Sequence, residues 1–161
     1  MNSRLKQIIA AALMLVIVLG VTACNKKTEV TINIKELGDK IVKEGDFLDE
    51  LTPLENDMFT EIYEDVDANH IQDKVAYVGT GASAEQVVII EAKNQESAKN
   101  IKTGLNKKLQ YDIEQNRDYL PDEIPKLEKP VLQVIDKYVV LCVSNNNEII
   151  ETMLKDITES K

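Results

Sequence analysis

The chain has 161 residues and a formal net charge of −9, with 28 acidic and 19 basic side chains. An acidic chain repels nucleic-acid phosphates, so we expect no nucleic-acid partner. Trp is absent and aromatic residues make up only 4% of the chain, which disfavours a sugar-cleaving cleft, because such clefts usually stack sugar rings on aromatic side chains. The single histidine argues against a zinc site of the usual His/Cys type.

The first predicted element is a short basic segment followed by an apolar run. Arg4 and Lys6 are the only charged residues before the run, which extends from Ile8 to Val21. It is shorter than the roughly 20 apolar residues that a membrane-spanning helix needs, and this layout is typical of a secretory signal peptide. The run ends in residues that resemble the lipobox of bacterial lipoproteins, namely an aliphatic residue, two small residues and a cysteine: Val21, Thr22, Ala23 and Cys24.

The lipobox pattern predicts that a signal peptidase recognises residues 21–23 and cleaves before Cys24, whose thiol receives a diacylglyceryl group. Two acyl chains would anchor the mature protein stably on the extracytoplasmic face of the cell membrane. Residues 1–23 are then a signal peptide, 24–32 a lipidated tether and 33–161 a single domain. The alternative is an uncleaved signal anchor. Acylation of Cys24 would leave Cys142 without a partner, and an exported protein without disulfides fits a Gram-positive envelope.

The predicted domain contains two helices, two strands, a long helix, two strands and a last helix. Asn33, Asn94 and residues 145–147 are the predicted N-caps of the first, long and last helices. The predicted strands are residues 74–79, 86–92, 131–135 and 138–144, and Asp136 and Lys137 form a tight hairpin between the last two. We therefore predict an α+β fold with an antiparallel sheet of about four strands and helices on one face, in the order α-α-β-β-α-β-β-α.

Candidate metal and catalytic residues do not form a complete set. Residues 65–73 place oxygen ligands at alternate positions, as a calcium loop does, but His70, Gln72 and Ala76 stand where that loop needs other residues. A catalytic triad would have to combine His70 with a serine, and none of Ser83, Ser97, Ser144 and Ser160 lies in a nucleophile-elbow motif. We therefore predict no metal ligand, no catalytic residue and no cofactor.

Cys142 and the segment from Tyr119 to Glu123 are the remaining candidates for a functional role. Cys142 lies in an apolar strand, so we interpret it as a core residue and not as a reactive thiol. The segment from Tyr119 to Glu123 combines an amphipathic ring with a turn that Pro121 fixes, and it is the best remaining candidate for a surface with a role. For Tyr119 the favoured interpretation is nevertheless packing on the core at the end of the long helix.

Short motifs are spread over residues 77–144: Gly81-Ala82, Ala84-Glu85, Gln110, Gln115, Tyr119-Leu120-Pro121-Asp122-Glu123 and Val139-Val140-Leu141-Cys142-Val143-Ser144. In these motifs the segment resembles an uncharacterised family of small Gram-positive lipoproteins that is known only as a domain of unknown function. The resemblance implies a lipoprotein but gives no activity and no site residue.

These observations predict a lipid-anchored extracytoplasmic lipoprotein that acts as a non-catalytic binding or adaptor module. Its partners would be the membrane, through the anchor, and another envelope protein or a small ligand. The alternative is a cell-wall or peptide hydrolase that uses a pair of acidic residues. A lipoprotein with a structural or regulatory role is a third possibility that the sequence does not separate from the first.

Overall fold

The structure is a computed structural model that describes residues 30–159. The predicted signal peptide, its recognition residues Val21, Thr22 and Ala23, and the predicted attachment residue Cys24 lie outside the described residues. Within residues 30–159, no helix is both long enough and apolar enough to cross a bilayer.

Five antiparallel strands form one sheet in the order β1-β2-β3-β5-β4. The prediction of an antiparallel sheet is confirmed, with one strand more than expected. The added strand, β1, has only two residues and contains a proline, so no run of strand formers marks it; Pro53 is tolerated because β1 lies at the edge of the sheet. The strands are β1 Thr52–Pro53, β2 Ile71–Val78, β3 Gln86–Ala92, β4 Val131–Ile135 and β5 Tyr138–Val143.

Within residues 30–159, five α-helices accompany the sheet. The predicted caps of the first and long helices are confirmed: the side-chain oxygen of Asn33 accepts the Glu36 N–H at 3.2 Å, and that of Asn94 accepts the Ser97 N–H at 2.8 Å. The fourth helix was not predicted, because it has five residues and includes Pro125. The helices are α1 Ile34–Glu44, α2 Asn56–Ile62, α3 Gln95–Asn116, α4 Ile124–Glu128 and α5 Asn147–Glu159.

Helices cover both faces of the sheet, so the prediction of helices on one face is wrong. One face packs against α1 and α5, and the other packs against α2, α3 and α4. The cause lies in β3 and β5, whose consecutive apolar residues send side chains to both faces. Ile89 and Val140 enter the first core, while Val88 and Val139 enter the second. A strand without polar residues at alternate positions needs cover on each side.

The turn between β4 and β5 confirms the predicted hairpin. Ile135 pairs with Tyr138 across Asp136 and Lys137. Asp136 has a φ of 54°, and it is the one non-glycine residue with a positive φ in the described part of the chain. Tight two-residue hairpins need a left-handed backbone at their first turn position, and Asp tolerates it better than most residues.

Candidate functional site

A buried ionic cluster lies at the end of the sheet where β3 begins, and it consists of Glu85, Glu123 and Lys126. The Nζ atom of Lys126 lies 2.9 Å from Oε1 of Glu85 and 2.8 Å from Oε1 of Glu123. The side chain of Glu85 is fully buried, and those of Glu123 and Lys126 are only 11% and 14% exposed. Charges so far from water must be compensated by protein groups.

Backbone N–H groups occupy the remaining carboxylate oxygens. Oε2 of Glu85 accepts the N–H groups of Leu48 and Asp49 at 2.8 and 2.9 Å. Oε2 of Glu123 accepts the Ala84 N–H at 3.1 Å. The cluster thereby joins the segment before β1, the loop between β2 and β3, and the turn before α4. Within residues 30–159, every buried side-chain nitrogen and oxygen has a hydrogen-bond partner.

Lys126 keeps its charge because the two carboxylates outweigh the effect of burial. Burial alone would lower the pKa of Lys126, but the hydrogen bonds to Glu123 and Glu85 and their negative charges raise it above the ordinary lysine value. A basic group with a raised pKa contributes its stabilisation fully below its unfolded-state pKa and loses it as the pH rises through the folded-state pKa. Lys126 therefore remains charged at neutral pH.

We call the three segments that the cluster joins the clamped end: residues 46–50, 79–85 and 118–123. A second set of hydrogen bonds supports it, because Oδ2 of Asp49 accepts the Thr80 N–H at 2.7 Å and the Thr80 hydroxyl at 3.0 Å. The Asn145 N–H, just after β5, donates to the Asp46 carbonyl at 3.0 Å. Loops held by buried charges and backbone hydrogen bonds present their outer side chains in a fixed arrangement.

Two large apolar side chains point into solvent from the clamped end. Leu48 is 77% exposed and Tyr119 is 88% exposed. The favoured sequence interpretation of Tyr119, packing on the core, is therefore wrong. Helix α3 ends at Asn116, and the Leu120 N–H closes the chain onto the Asn116 carbonyl at 2.8 Å, which leaves Tyr119 outside. Ile113 is the last residue of α3 that the core buries.

The surroundings of Leu48 and Tyr119 are acidic. Exposed carboxylates flank both residues in the chain: Asp46 and Glu50 beside Leu48, and Asp118 and Asp122 beside Tyr119. None of the three segments contains a lysine or an arginine, and the exposed Arg117, which directly precedes residues 118–123, is outnumbered by the four exposed carboxylates. The clamped end therefore presents two apolar side chains in a negatively charged setting. Sequence analysis singled out Tyr119–Glu123 but missed Glu85 and Lys126, because no local pattern reveals a pairing across 41 positions.

The structure brings His70 and Ser97 together, although not as in a hydrolase. Nδ1 of His70 lies 3.1 Å from the Ser97 hydroxyl, and Nε2 lies 3.3 Å from the Asn100 amide nitrogen. In a Ser-His-Asp triad, a carboxylate on the second ring nitrogen orients the imidazole and stabilises its charge. Asn100 occupies that place, and Ser97 is only 6% exposed. The contact fits a link between the start of β2 and the start of α3.

Ser83 and Ser144, the other candidate serines that the structure describes, contact residues other than His70. Ser83 lies 3.5 Å from Glu85, Ser144 donates to the Asn147 side chain at 3.2 Å, and Ser160 lies outside the described residues. Of the three candidate serines within residues 30–159, Ser97 is the one that lies next to His70.

The carboxylates of residues 65–73 do not converge on a common point. Asp67 accepts the Asn69 N–H at 2.8 Å, Asp73 accepts the Lys74 N–H at 2.8 Å, and Asp65 lies 3.7 Å from Nζ of Lys107. Each carboxylate thus serves a local bond. Across residues 30–159, no group of three or more His, Cys, Asp or Glu side chains could hold a metal ion.

An open cleft of about 350 Å³ lies between α2 and the first half of β2. Its lining combines apolar side chains, among them Phe59, Val66 and Ile71, with polar ones such as Asn56 and Gln72. Nζ of Lys74 lies over the Phe59 ring, 5.1 Å from its centroid. Phe59 and Val66 are also buried, so the cleft exposes little apolar surface, and the clamped end is the stronger candidate for a binding surface.

Cys142 lies in the core between β5 and the α1 and α5 helices, and none of its surface is exposed. Burial raises the pKa of its thiol from 9.0 to about 12; the contact with Ser144 acts in the opposite direction, and the Glu85 charge adds to the rise. The interpretation of Cys142 as a core residue agrees with this environment.

A thiol with so high a pKa is expected to resist alkylation in the folded chain. Three pKa units lower the thiolate fraction about a thousandfold near neutral pH, and burial blocks access as well. We expect Cys142 to react with iodoacetamide at pH 8 at least about a thousandfold more slowly in buffer than in 8 M urea, as measured by peptide mass spectrometry. Rapid labelling of Cys142 in the folded chain would contradict the buried position.

Comparison with known families gives one match. A family model that is described as a domain of unknown function (DUF4358) matches residues 43–144. The match contains all five strands and the complete clamped end, while α5 and nearly all of α1 lie outside it. No curated protein and no solved structure matches the chain.

Proposed function

The chain belongs to the family described as a domain of unknown function (DUF4358), and from its own residues we propose that it is a lipid-anchored lipoprotein of a Gram-positive envelope that binds another envelope protein without catalysis. The binding surface is the clamped end. The observation that carries this proposal is the exposure of Leu48 and Tyr119 on loops that a buried ionic cluster holds in place.

The anchor rests on the sequence of the N-terminal segment. A basic start, an apolar run shorter than a membrane span and the Val21-Thr22-Ala23-Cys24 motif together favour export and acylation of Cys24. A diacylglyceryl group carries two acyl chains, which suffices for stable attachment without any protein contact to the lipid. The binding surface is then free to face other proteins.

Fixed loops make the clamped end suitable for binding. Ordering side chains and loops on association costs free energy, so a surface that is already ordered binds more tightly for the same contacts. Tyrosine is also among the residues that contribute most to protein interfaces, since its ring provides a large contact and its hydroxyl a polar one. Tyr119 is held beside a proline turn, so it is ordered before binding, and it is of the residue type that contributes strongly to interfaces.

The acidic setting selects the kind of partner. Exposed carboxylates around Leu48 and Tyr119 favour a protein segment that combines lysine or arginine with an apolar side chain. They disfavour insertion of the two apolar side chains into the bilayer, because the membrane surface is itself anionic. We therefore propose a basic, partly apolar protein surface as the partner.

The carboxylate geometry supports binding over hydrolysis. Glu85 and Glu123 are the closely placed buried pair, but Lys126 and backbone N–H groups occupy all four carboxylate oxygens. A glycosidase needs one carboxyl group to donate a proton and another to activate water or attack the sugar. Neither group has an oxygen directed at an open space, so the pair fits a structural role.

The binding surface can be tested by affinity capture of the full-length chain from detergent-solubilised membranes. We expect the double variant Leu48→Ser/Tyr119→Ser to lose at least about 90% of a stoichiometric partner, since residues of this kind dominate interfaces. The matched control is Met58→Ser/Tyr111→Ser, which changes two side chains that are 45% and 56% exposed elsewhere. Failure to recover any stoichiometric partner, or equal loss with both variants, would contradict the proposal.

The anchor has a separate test. Mass spectrometry of the chain purified from membranes should find a diacylglyceryl group on Cys24 and no residue before it. We expect Cys24→Ala to abolish acylation and leave the precursor uncleaved. An intact leader, or an unmodified thiol at Cys24 in the wild-type chain, would refute the anchor while leaving the binding surface to its own test.

A further inference from the structure

The β4 strand forms one edge of the sheet and has an unpaired outer side. Its neighbour in the sheet is β5. The N–H of Ala92, the last residue of β3, donates to the Lys137 carbonyl at 2.8 Å, so the backbone of Lys137 faces β3. Because antiparallel strands alternate, the backbone of Tyr138 must face β4, where its partner is Ile135.

The same alternation fixes the outward-facing groups of β4. Val131, Gln133 and Ile135 exchange hydrogen bonds with β5, so the N–H and C=O groups of Leu132 and Val134 point away from the sheet. Within residues 30–159, no hydrogen bond to these outward groups is present. The strand therefore offers two donors and two acceptors along an open edge.

The opposite edge of the sheet is protected and β4 is not. At that edge, β1 pairs with the last two residues of β2. The carboxylate of Asp73 accepts the outward N–H of Lys74 at 2.8 Å, and a register shift between Ile71 and Asp73 interrupts the start of β2. Charged residues and bulges are the usual means of preventing edge-to-edge pairing. β4 has neither, since its five residues are uncharged and regularly paired.

We propose that β4 pairs antiparallel with β4 of a second copy of this chain, so that two five-stranded sheets become one continuous sheet. With Gln133 on the two-fold axis, each Leu132 lies opposite Val134 of the other copy, and the outward N–H and C=O groups of both find partners. Val131 likewise lies opposite Ile135. Such an interface is self-complementary, as two-fold dimers require.

Several features favour a second copy as the occupant of this edge. Pro130 has no N–H and Asp136 begins the turn, so the edge accepts a strand of about five residues, which is the length of β4 itself. All the facing residues are apolar except Gln133, whose amide can both donate to and accept from its own copy. The net charge of −9 per chain opposes association, but physiological salt screens it beyond about 8 Å.

Cysteine cross-linking tests the register. At the axis, the two Gln133 residues form a non-hydrogen-bonded pair with Cα atoms about 4.5 Å apart, which is within disulfide range. We expect full-length Gln133→Cys to form a disulfide-linked dimer under mild oxidation in membranes, well above the background of the wild-type chain, whose Cys142 is buried. The control Gln72→Cys places a thiol on the exposed part of β2 and should stay at background.

A charge substitution tests the same contact in solution. Gln133→Lys places two ammonium groups opposite each other, and we expect about tenfold weaker dimerisation of the detergent-solubilised full-length chain in sedimentation velocity experiments. Gln72→Lys is the matched control and should dimerise as the wild type does. Circular dichroism melting establishes that both variants are folded. A monomeric wild-type chain at high concentration, or equal cross-linking of Gln133→Cys and Gln72→Cys, would overturn the proposal.

Discussion

Lys126→Met is expected to lower the free energy of unfolding by about 3–5 kcal/mol. The substitution removes the one cation within residues 30–159 that contacts Glu85 and Glu123, and it leaves two carboxylates in a site where they are almost inaccessible to water. Methionine fills a similar volume, so the loss reports the unpaired charges and not a cavity. Urea unfolding followed by circular dichroism measures the effect. The slope of the free energy of unfolding against urea concentration should be the same for the variant and the wild type, which checks two-state behaviour.

The control for this experiment is Lys107→Met. Nζ of Lys107 lies 3.7 Å from Asp65, and its side chain is 66% exposed, so we expect a change within about 0.5 kcal/mol. The double variant Glu85→Gln/Lys126→Met should be less destabilised than the sum of its two single variants, because the groups belong to one network. A loss for Lys126→Met no larger than that for Lys107→Met would show that the cluster does not hold the three loops together.

Leu154→Ala is expected to destabilise the domain by about 2–5 kcal/mol. Leu154 lies in α5, is fully buried, and packs into the core that α5 shares with α1 and one face of the sheet. Truncation removes apolar contacts and leaves a cavity, and both effects favour unfolding. The neighbouring Lys155→Ala, at an exposed position on the same helix, should change stability by no more than about 0.5 kcal/mol.

This second prediction defines the extent of the folding unit. Leu154 lies ten residues beyond the family match, which ends at Ser144. If α5 were an appendage, Leu154→Ala and Lys155→Ala would have similarly small effects. We expect instead that the helices flanking the match belong to the cooperative domain, because without them Val87, Ile89 and Val140 would be exposed on a bare sheet face.

Several elements were predictable because local rules determine them. The consecutive apolar residues of β3 and β5 identified these strands, and the spacing of Ala98, Ile101 and Leu105 identified α3. Asn33 and Asn94 cap the helices where the sequence placed them, since a side-chain oxygen at that position satisfies a free N–H group nearby. In each case, the signal and its structural consequence lie within a few residues of each other.

Other features depend on partners that are distant in the chain. β1 has two residues and is a strand only because β2 pairs with it. Tyr119 is exposed because α3 ends at Asn116, and periodicity locates a helix end only to within a few residues. The second layer of helices follows from burial of both faces of β3 and β5, and it depends on how these strands pair at the centre of the sheet.

By itself, the sequence determined the order of the main elements, the caps, the core position of Cys142 and the motif that predicts the anchor, because each depends on neighbouring residues. The tertiary structure alone decided that Glu85, Glu123 and Lys126 meet, that Leu48 and Tyr119 project from the loops they fix, and that β4 ends the sheet with an open edge. These features arise from contacts between residues far apart in the chain, where electrostatic pairing and sheet order are set by the packing of the whole domain.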